Sequence, residues 1–191
     1  MDLKGKKVLV FGAGKSGIGA ADLLGSAGAQ PVIYDGNADL DKEVVLHKTN
    51  GKYTPEIWAG DFPERALDSL DLVVLSPGVP TDLPLVKSFY EKGLPVWSEV
   101  ELAYRTGKGE VLAITGTNGK TTTTALLGKI MGDARESVFV VGNIGTAYTS
   151  KSLEMREDSV TVAEISSFQL ETAVHFHPTV SAILNITPDH L

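Results

Sequence analysis

The sequence predicts an α/β protein: a Rossmann-like, doubly wound parallel sheet over residues 1–106, then over 107–191 the beginning of a P-loop-type α/β unit. Three observations carry that expectation. Short apolar runs such as Val8–Phe11, Leu72–Leu75, Val111–Ile114 and Val138–Val141 recur along the chain, as the strands of a sheet buried on both faces do. Segments with the apolar spacing of helices lie between them. Two of the runs break into glycine loops, Gly12–Gly17 and Gly116–Gly119, and each loop opens a helix.

Taken in order, Lys7–Phe11 reads as a strand running into Gly12-Ala13-Gly14-Lys15-Ser16-Gly17, which satisfies G-x-G-x-x-G. The next helix carries Ile18, Ala21, Leu24 and Ala20, Leu23, Ala27 on one side and stops at Gly28. A strand over Val32–Tyr34 ends in Asp35. Strand, glycine loop, helix, strand and acid follow the order of a nucleotide-binding βαβ unit, although a tight turn without ligand would use the same glycines. Asp35 alone fits either a ribose hydroxyl or a solvated strand end. From Gly36 to Glu64 the pattern thins: Asp39–Asn50 reads as helix or loop, and Ile57-Trp58-Ala59 as a short strand with Trp58 a packing residue. The strand Leu72–Leu75 breaks at Ser76-Pro77-Gly78-Val79-Pro80, a good turn in its own right. At the carboxyl end of a parallel strand it would also face the crevice of the glycine loop. A helix over Leu83–Lys92 stopped by Gly93, and a strand at Val96-Trp97, complete the first unit. Glu99–Arg105 is helical, and Thr106-Gly107-Lys108-Gly109 is a short joint at which the boundary is placed.

In the second unit, strand Val111–Ile114 gives way to Gly116-Thr117-Asn118-Gly119-Lys120-Thr121-Thr122 and a helix with apolar Leu126, Leu127, Ile130 and Met131. Loop N–H groups and the positive end of the helix form a phosphate cradle, with Lys120 reaching the terminal phosphates and the Thr121 hydroxyl helping to hold Mg²⁺. The usual pattern has a glycine where Ile114 stands, so a polar turn containing Gly-Lys-Thr is the competing reading. Further strands follow at Val138–Val141, before Gly142-Asn143-Ile144-Gly145; at Ser159–Ala163, before Glu164; and at Val180–Ile186, before Thr187-Pro188-Asp189-His190. Asn143, Glu164 and His190 thus fall just past strand ends and converge on the phosphates if those strands run parallel to the cradle strand. A strand-end carboxylate is often merely solvated, and taken alone His190 favours neither reading. His175 and His177 read as structural.

The 191 residues suffice for one medium or two small domains, and 42% hydrophobic with 21% charged residues is ordinary globular composition. A net charge of −7 carries no nucleic-acid footprint. The absence of cysteine excludes disulfides, thiolate metal sites and cysteine nucleophiles. The apolar run Val8–Phe11 is too short for a signal peptide, and no segment reaches transmembrane length, so a cytoplasmic enzyme without membrane insertion is the expectation.

The motif Thr115-Gly116-Thr117-Asn118-Gly119-Lys120-Thr121-Thr122 resembles the ATP loop of the Mur ligases, amide-forming enzymes of peptidoglycan precursor synthesis, which also lacks the early glycine. Within that family, Gly12–Gly17, Ser76-Pro77-Gly78, Gly142-Asn143-Ile144-Gly145, Glu164-Ile165-Ser166-Ser167-Phe168-Gln169-Leu170 and Asn185–His190 resemble the D-glutamate-adding branch. The resemblance spans the whole chain. It implies a UDP-substrate-binding first domain and the incomplete first part of a central ATP-binding domain. ATP and Mg²⁺ are then the cofactors, UDP-N-acetylmuramoyl-L-alanine and D-glutamate the further substrates, and a monomer the expected state of the intact enzyme. Lys120, Glu164 and His190 become catalytic, with Thr121, Glu164 and His190 holding metal and Gly116 to Thr122 holding ATP. Gly14, Lys15, Ser16, Asp35, Gly36, Asn37, Ser76, Pro77 and Gly78 would bind the UDP moiety, and Asn143 and Ser166 the reacting end. The family's metal-bridging carbamylated lysine and its C-terminal domain have no counterpart in this sequence, so the chain by itself is not expected to ligate. The competing classes are an NAD-dependent oxidoreductase, from G-x-G-x-x-G and Asp35, and a non-catalytic nucleotide-binding module.

Overall fold

The computed structural model describes residues 2–143 and 145–187. Its first unit is a parallel sheet of β1 (Lys7–Phe11), β2 (Gln30–Asp35), β3 (Glu56–Ala59), β4 (Leu72–Leu75) and β5 (Val96–Ser98) in the order β3-β2-β1-β4-β5. Successive residues of a strand point to opposite faces, and both faces of this sheet are apolar. Val8 and Val10 pack with Ala20, Leu24 and Trp97 on the side of α1 (Lys15–Ser26). Leu9 and Phe11 pack with Val86 and Phe89 of α3 (Pro84–Glu91) on the other. The ambiguous polar stretch becomes helix α2 (Lys42–Lys48), because Asp41 caps it by accepting from the N–H groups of Glu43 and Val44. A 3-10 turn at Glu64–Ser69, unmarked by any apolar period, leads into β4. Trp58 packs edge-on to Phe62, as expected.

Helix α4 (Glu99–Thr106) joins the two units, and Ser98 caps it by accepting from Glu101 N–H at 3.1 Å. Its Leu102 belongs to the core of the first sheet, whereas Val100 and Ala103 belong to the core of the second. The helix is therefore a wall common to both.

The second sheet is also parallel: β6 (Glu110–Thr115), β7 (Val138–Gly142), β8 (Val160–Glu164) and β9 (Val180–Ile183) in the order β7-β8-β6-β9. Two expectations change here. The last strand ends at Ile183 rather than Ile186, because Asn185 leaves the ladder to bond the glycine loop described below. Helix α5 (Lys120–Ala134) turns Thr124 and Gly128 inward and leaves Leu126 and Ile130 exposed. The cause is close packing: a Cβ on Gly128 would lie 2.3 Å from Val140 Cγ2, so the helix lies against β7 through its smallest residue. Among the described residues, no helix is long and apolar enough to cross a membrane.

Candidate functional site

In each sheet the chain reverses its winding direction beside the central strand, and parallel α/β sheets open a ligand crevice at such a point, at the carboxyl ends of the strands. In the first unit that point lies between β1 and β4. It brings the Gly12–Gly17 loop against Ser76-Pro77-Gly78, with Ser76 Oγ donating to Gly12 O at 3.4 Å. Gly17 cannot carry a side chain, since a Cβ would stand 1.8 Å from Gly12 O. Helix α1 follows Gly14 as N-cap, with no side-chain cap and no acid in its first turn, leaving its N–H groups for an anion. A cleft of about 600 Å³ here is lined by Gly14, Lys15, Ser16, Asp35, Gly36, Ser76, Pro77, Gly78 and also Asn143. Most of the residues expected to hold the UDP moiety therefore face one space. Asn37 is not among its lining residues: its N–H donates to Asp35 Oδ1 and its Oδ1 accepts from Asp39 N–H, so it shapes the turn. Asp35 is occupied too. Its Oδ2 accepts from Ala13 N–H at 3.0 Å and its Oδ1 from Asn37 N–H at 3.0 Å, so the acid latches the glycine loop to the end of β2.

In the second unit the reversal lies between β6 and β9. Gly119 adopts φ +84° as the N-cap of α5, a left-handed conformation that glycine takes without strain, and α5 too has no side-chain cap and no acid in its first turn. Lys120 Nζ folds over the loop and donates to Gly116 O at 2.7 Å and Thr117 O at 3.0 Å. Asn185 clamps the loop from the far side. Its Oδ1 accepts from Asn118 N–H at 2.8 Å, its Nδ2 donates to Asn118 O at 2.9 Å, and its carbonyl accepts from Thr117 N–H at 3.1 Å. In sequence this residue falls inside the expected strand Val180–Ile186 and opens the run Asn185–His190, with no role of its own.

Glu164 is the last residue of β8 rather than one past its end, and it is 2% exposed. Its Oε1 accepts from Asn143 Nδ2 at 3.3 Å, its carbonyl accepts from Asn143 N–H at 2.9 Å, and its Oε2 is buried without a partner among the described residues. A buried carboxylate oxygen left unpaired is costly unless a cation meets it, so this residue fits a hard divalent ion. Thr121 and Thr122 are exposed on the first turn of α5. Among the described residues no group of three or more His, Asp or Glu side chains forms a metal cluster. His190, Pro188, Asp189 and Ile144 lie outside the described residues.

Ser166 opens α6 (Ser167–Leu170) through a capping box: its Oγ accepts from Gln169 N–H at 3.3 Å, and Gln169 Oε1 accepts from Ser166 N–H at 2.7 Å. A cleft of about 590 Å³ runs from Gly116, Thr117 and Lys120 past Asn143 and Ser166 to Pro77 of the first unit. Pro77 and Asn143 border both large clefts, so the two glycine loops open onto connected space. Lys15 Nζ crosses the seam to donate to Gly145 O at 3.2 Å. His175 does hold structure: its N–H and its Nδ1 both meet the carboxylate of the buried Glu101.

Two parallel α/β units, each with a glycine loop at its carboxyl edge and joined through one cleft system, define the class. A family model described as the Mur ligase MurD-like N-terminal domain matches residues 6–98, and one described as the Mur ligase middle domain matches residues 114–191. The chain belongs to the Mur ligase family. It is 60% identical over its whole length to the UDP-N-acetylmuramoylalanine–D-glutamate ligase of Lachnospira eligens and 56% identical to that of Lachnoclostridium phytofermentans. It spans 42% of the length of each. In fold it is similar to a murein peptide ligase from Psychrobacter arcticus, with TM-score 0.55, 20% identity, and 97% of this chain and 44% of that one covered. A second structure, the UDP-N-acetylmuramate:L-alanyl-gamma-D-glutamyl-meso-diaminopimelate ligase of Neisseria meningitides, aligns with TM-score 0.52 at 18% identity over 97% of this chain and 62% of that one.

Proposed function

We propose that a protein carrying this chain, at the length of its curated relatives, is an ATP-dependent ligase that adds D-glutamate to UDP-N-acetylmuramoyl-L-alanine. Residues 1–106 form its uridine-nucleotide unit and 107–191 the first part of its ATP unit. The observation that supports this most is the cleft joining the Lys120 cradle to Asn143, Ser166 and Pro77, which gives one space to a nucleotide phosphate and to the end of a second ligand.

The carboxylate of the uridine substrate attacks the γ-phosphorus of ATP, the bond to the β-phosphate oxygen breaks, and an acyl phosphate and ADP result. The amine of D-glutamate then attacks the acyl carbon and phosphate leaves with the bonding electrons. Both steps build charge on oxygen, so fixed donors and cations lower the barrier. The loop N–H groups and Lys120 hold the phosphates. Lys120 exchanges two neutral carbonyl partners for charged oxygens when it does so, a stronger pairing. Thr121 and Glu164 would hold Mg²⁺, which would supply positive charge to the phosphates, and His190 would serve a second metal. The Ser166 hydroxyl accepts from Gln169 N–H, which leaves its own hydrogen to donate into the cleft, where Asn143 also faces the substrate.

Calorimetric titration with UDP-N-acetylmuramoyl-L-alanine, with NADH as a parallel ligand, tests the reading. Binding of the uridine ligand and not NADH is expected; binding of NADH alone would assign the glycine loop to a dinucleotide and remove the ligase reading. The metal assignment has its own check. Glu164→Gln should weaken the Mg²⁺-dependent part of ADP binding by at least the ~10-fold that loss of an outer partner of a metal site costs. Undiminished Mg²⁺ dependence in that variant would take Glu164 out of the metal site.

A further inference from the structure

Glu99, the first residue of α4, is 4% exposed and takes no part in the chemistry above. Its Oε1 accepts from Gln169 Nε2 at 2.8 Å, a bond that joins the helix shared by both cores to the N-terminus of α6. Gln169 is also the third helical residue of the capping box, where its Oε1 receives Ser166 N–H. A capping box uses only the oxygen of that side chain, so glutamate would serve there equally well. The amide nitrogen has a separate use, to give the buried Glu99 carboxyl a donor where a second carboxyl would give it a like charge. Each end of the Gln169 amide is then fixed by a different partner, and its orientation can take only one value. That orientation sets Ser166, whose hydroxyl faces the cleft of the reacting end.

The other Glu99 oxygen, Oε2, is buried without a partner among the described residues, beside a cavity of about 140 Å³ that Lys15, Ser16, Asn143, Tyr148 and Gln169 also line. Burial pushes the Glu99 carboxyl above its ordinary range, against the opposing effect of the Gln169 bond. A buried acid retained with one oxygen unsatisfied lowers stability, so packing alone does not account for it.

We infer that Glu99 is a positioning residue for the ligation chemistry: it fixes the Gln169 amide, and through the capping box the Ser166 hydroxyl, and ties that arrangement to the helix both units pack on. The inference rests on the ligase reading above.

The test is a reciprocal exchange in the full-length protein, read as D-glutamate-dependent phosphate release together with calorimetric ADP binding. Gln169→Glu keeps the capping-box oxygen but faces Glu99 with a carboxylate. It should lower kcat by about tenfold, the usual cost of disturbing an outer positioning partner, while leaving ADP affinity in place. Glu99→Gln still offers an amide oxygen to Gln169 and should work near the wild-type rate. Combining the two restores one carboxyl and one amide in exchanged places and should recover the rate lost by Gln169→Glu. If Gln169→Glu is as fast as wild type, or if the double variant is no faster than Gln169→Glu, Glu99 positions nothing. A wild-type protein that releases no phosphate overturns the ligase reading and this inference with it, whereas an active wild type with indifferent variants overturns the inference alone.

Discussion

Replacing Lys120 by alanine in the full-length protein is expected to slow phosphoryl transfer on the order of 10²-fold or more, the usual cost of removing one charge-stabilising donor. The structure adds a second effect. Lys120 Nζ bridges Gly116 O and Thr117 O, so its removal leaves the loop with its bonds to Asn185 and Thr187 but without the contact that ties its two carbonyls together. ADP binding should therefore weaken as well, through a loop that is less ordered before the nucleotide arrives. Lys120→Arg keeps the charge but replaces a compact ammonium by a wide planar fork, and it should recover binding better than rate. Steady-state kinetics with ADP calorimetry separates the two contributions. A Lys120→Ala rate close to wild type would remove this residue from the chemistry.

The second large effect concerns stability. Glu101 is fully buried, and its Oε2 accepts from three successive backbone N–H groups, Val174 at 3.1 Å, His175 at 2.9 Å and Phe176 at 2.8 Å. Glu101→Ala deletes all three acceptor contacts at once. Bonds to a charged group contribute ~1.5–3 kcal/mol each, and partial access of water to this loop reduces the total to roughly 2–4 kcal/mol. For a protein of this size each kcal/mol moves the melting temperature by about 2–4 °C, so thermal unfolding should begin markedly lower. Glu101→Gln keeps an acceptor oxygen without the charge and should fall between the two. An unchanged melting temperature for Glu101→Ala would mean that the 174–176 loop is held by something else.

Legibility in the sequence followed the range of each signal. Apolar runs next to glycine are local, so both sheets, both glycine loops and the cleft-facing positions Lys15, Ser76, Lys120 and Asn143 could be read directly. Roles that depend on a partner far along the chain could not. Glu101 looks like any acid on a helix, and its meaning comes from N–H groups 73 to 75 residues away. Asn185 reads as the tail of a strand until the loop 67 residues earlier is placed beside it. The inward face of α5 is not legible from its apolar residues: hydrophobicity marks Leu126 and Ile130, whereas close approach to β7 selects Gly128. Asp35 was legible as important but ambiguous in kind; only its contact with Ala13 N–H shows that it builds the loop.

Helix α4 carries a mechanical consequence. Leu102 anchors it in one core and its neighbour Ala103, with Val100, in the other, so rotating either sheet about this helix would expose apolar surface on both sides at once. Thr106-Gly107-Lys108-Gly109 is consequently no swivel, whatever freedom its glycines have, because the fastening lies one helix earlier. These two sheets form a single chassis. They carry the Gly12–Gly17 loop and the Gly116–Gly119 loop on one shared wall, so a motion that parts the two loops has first to break the packing of α4 in both cores.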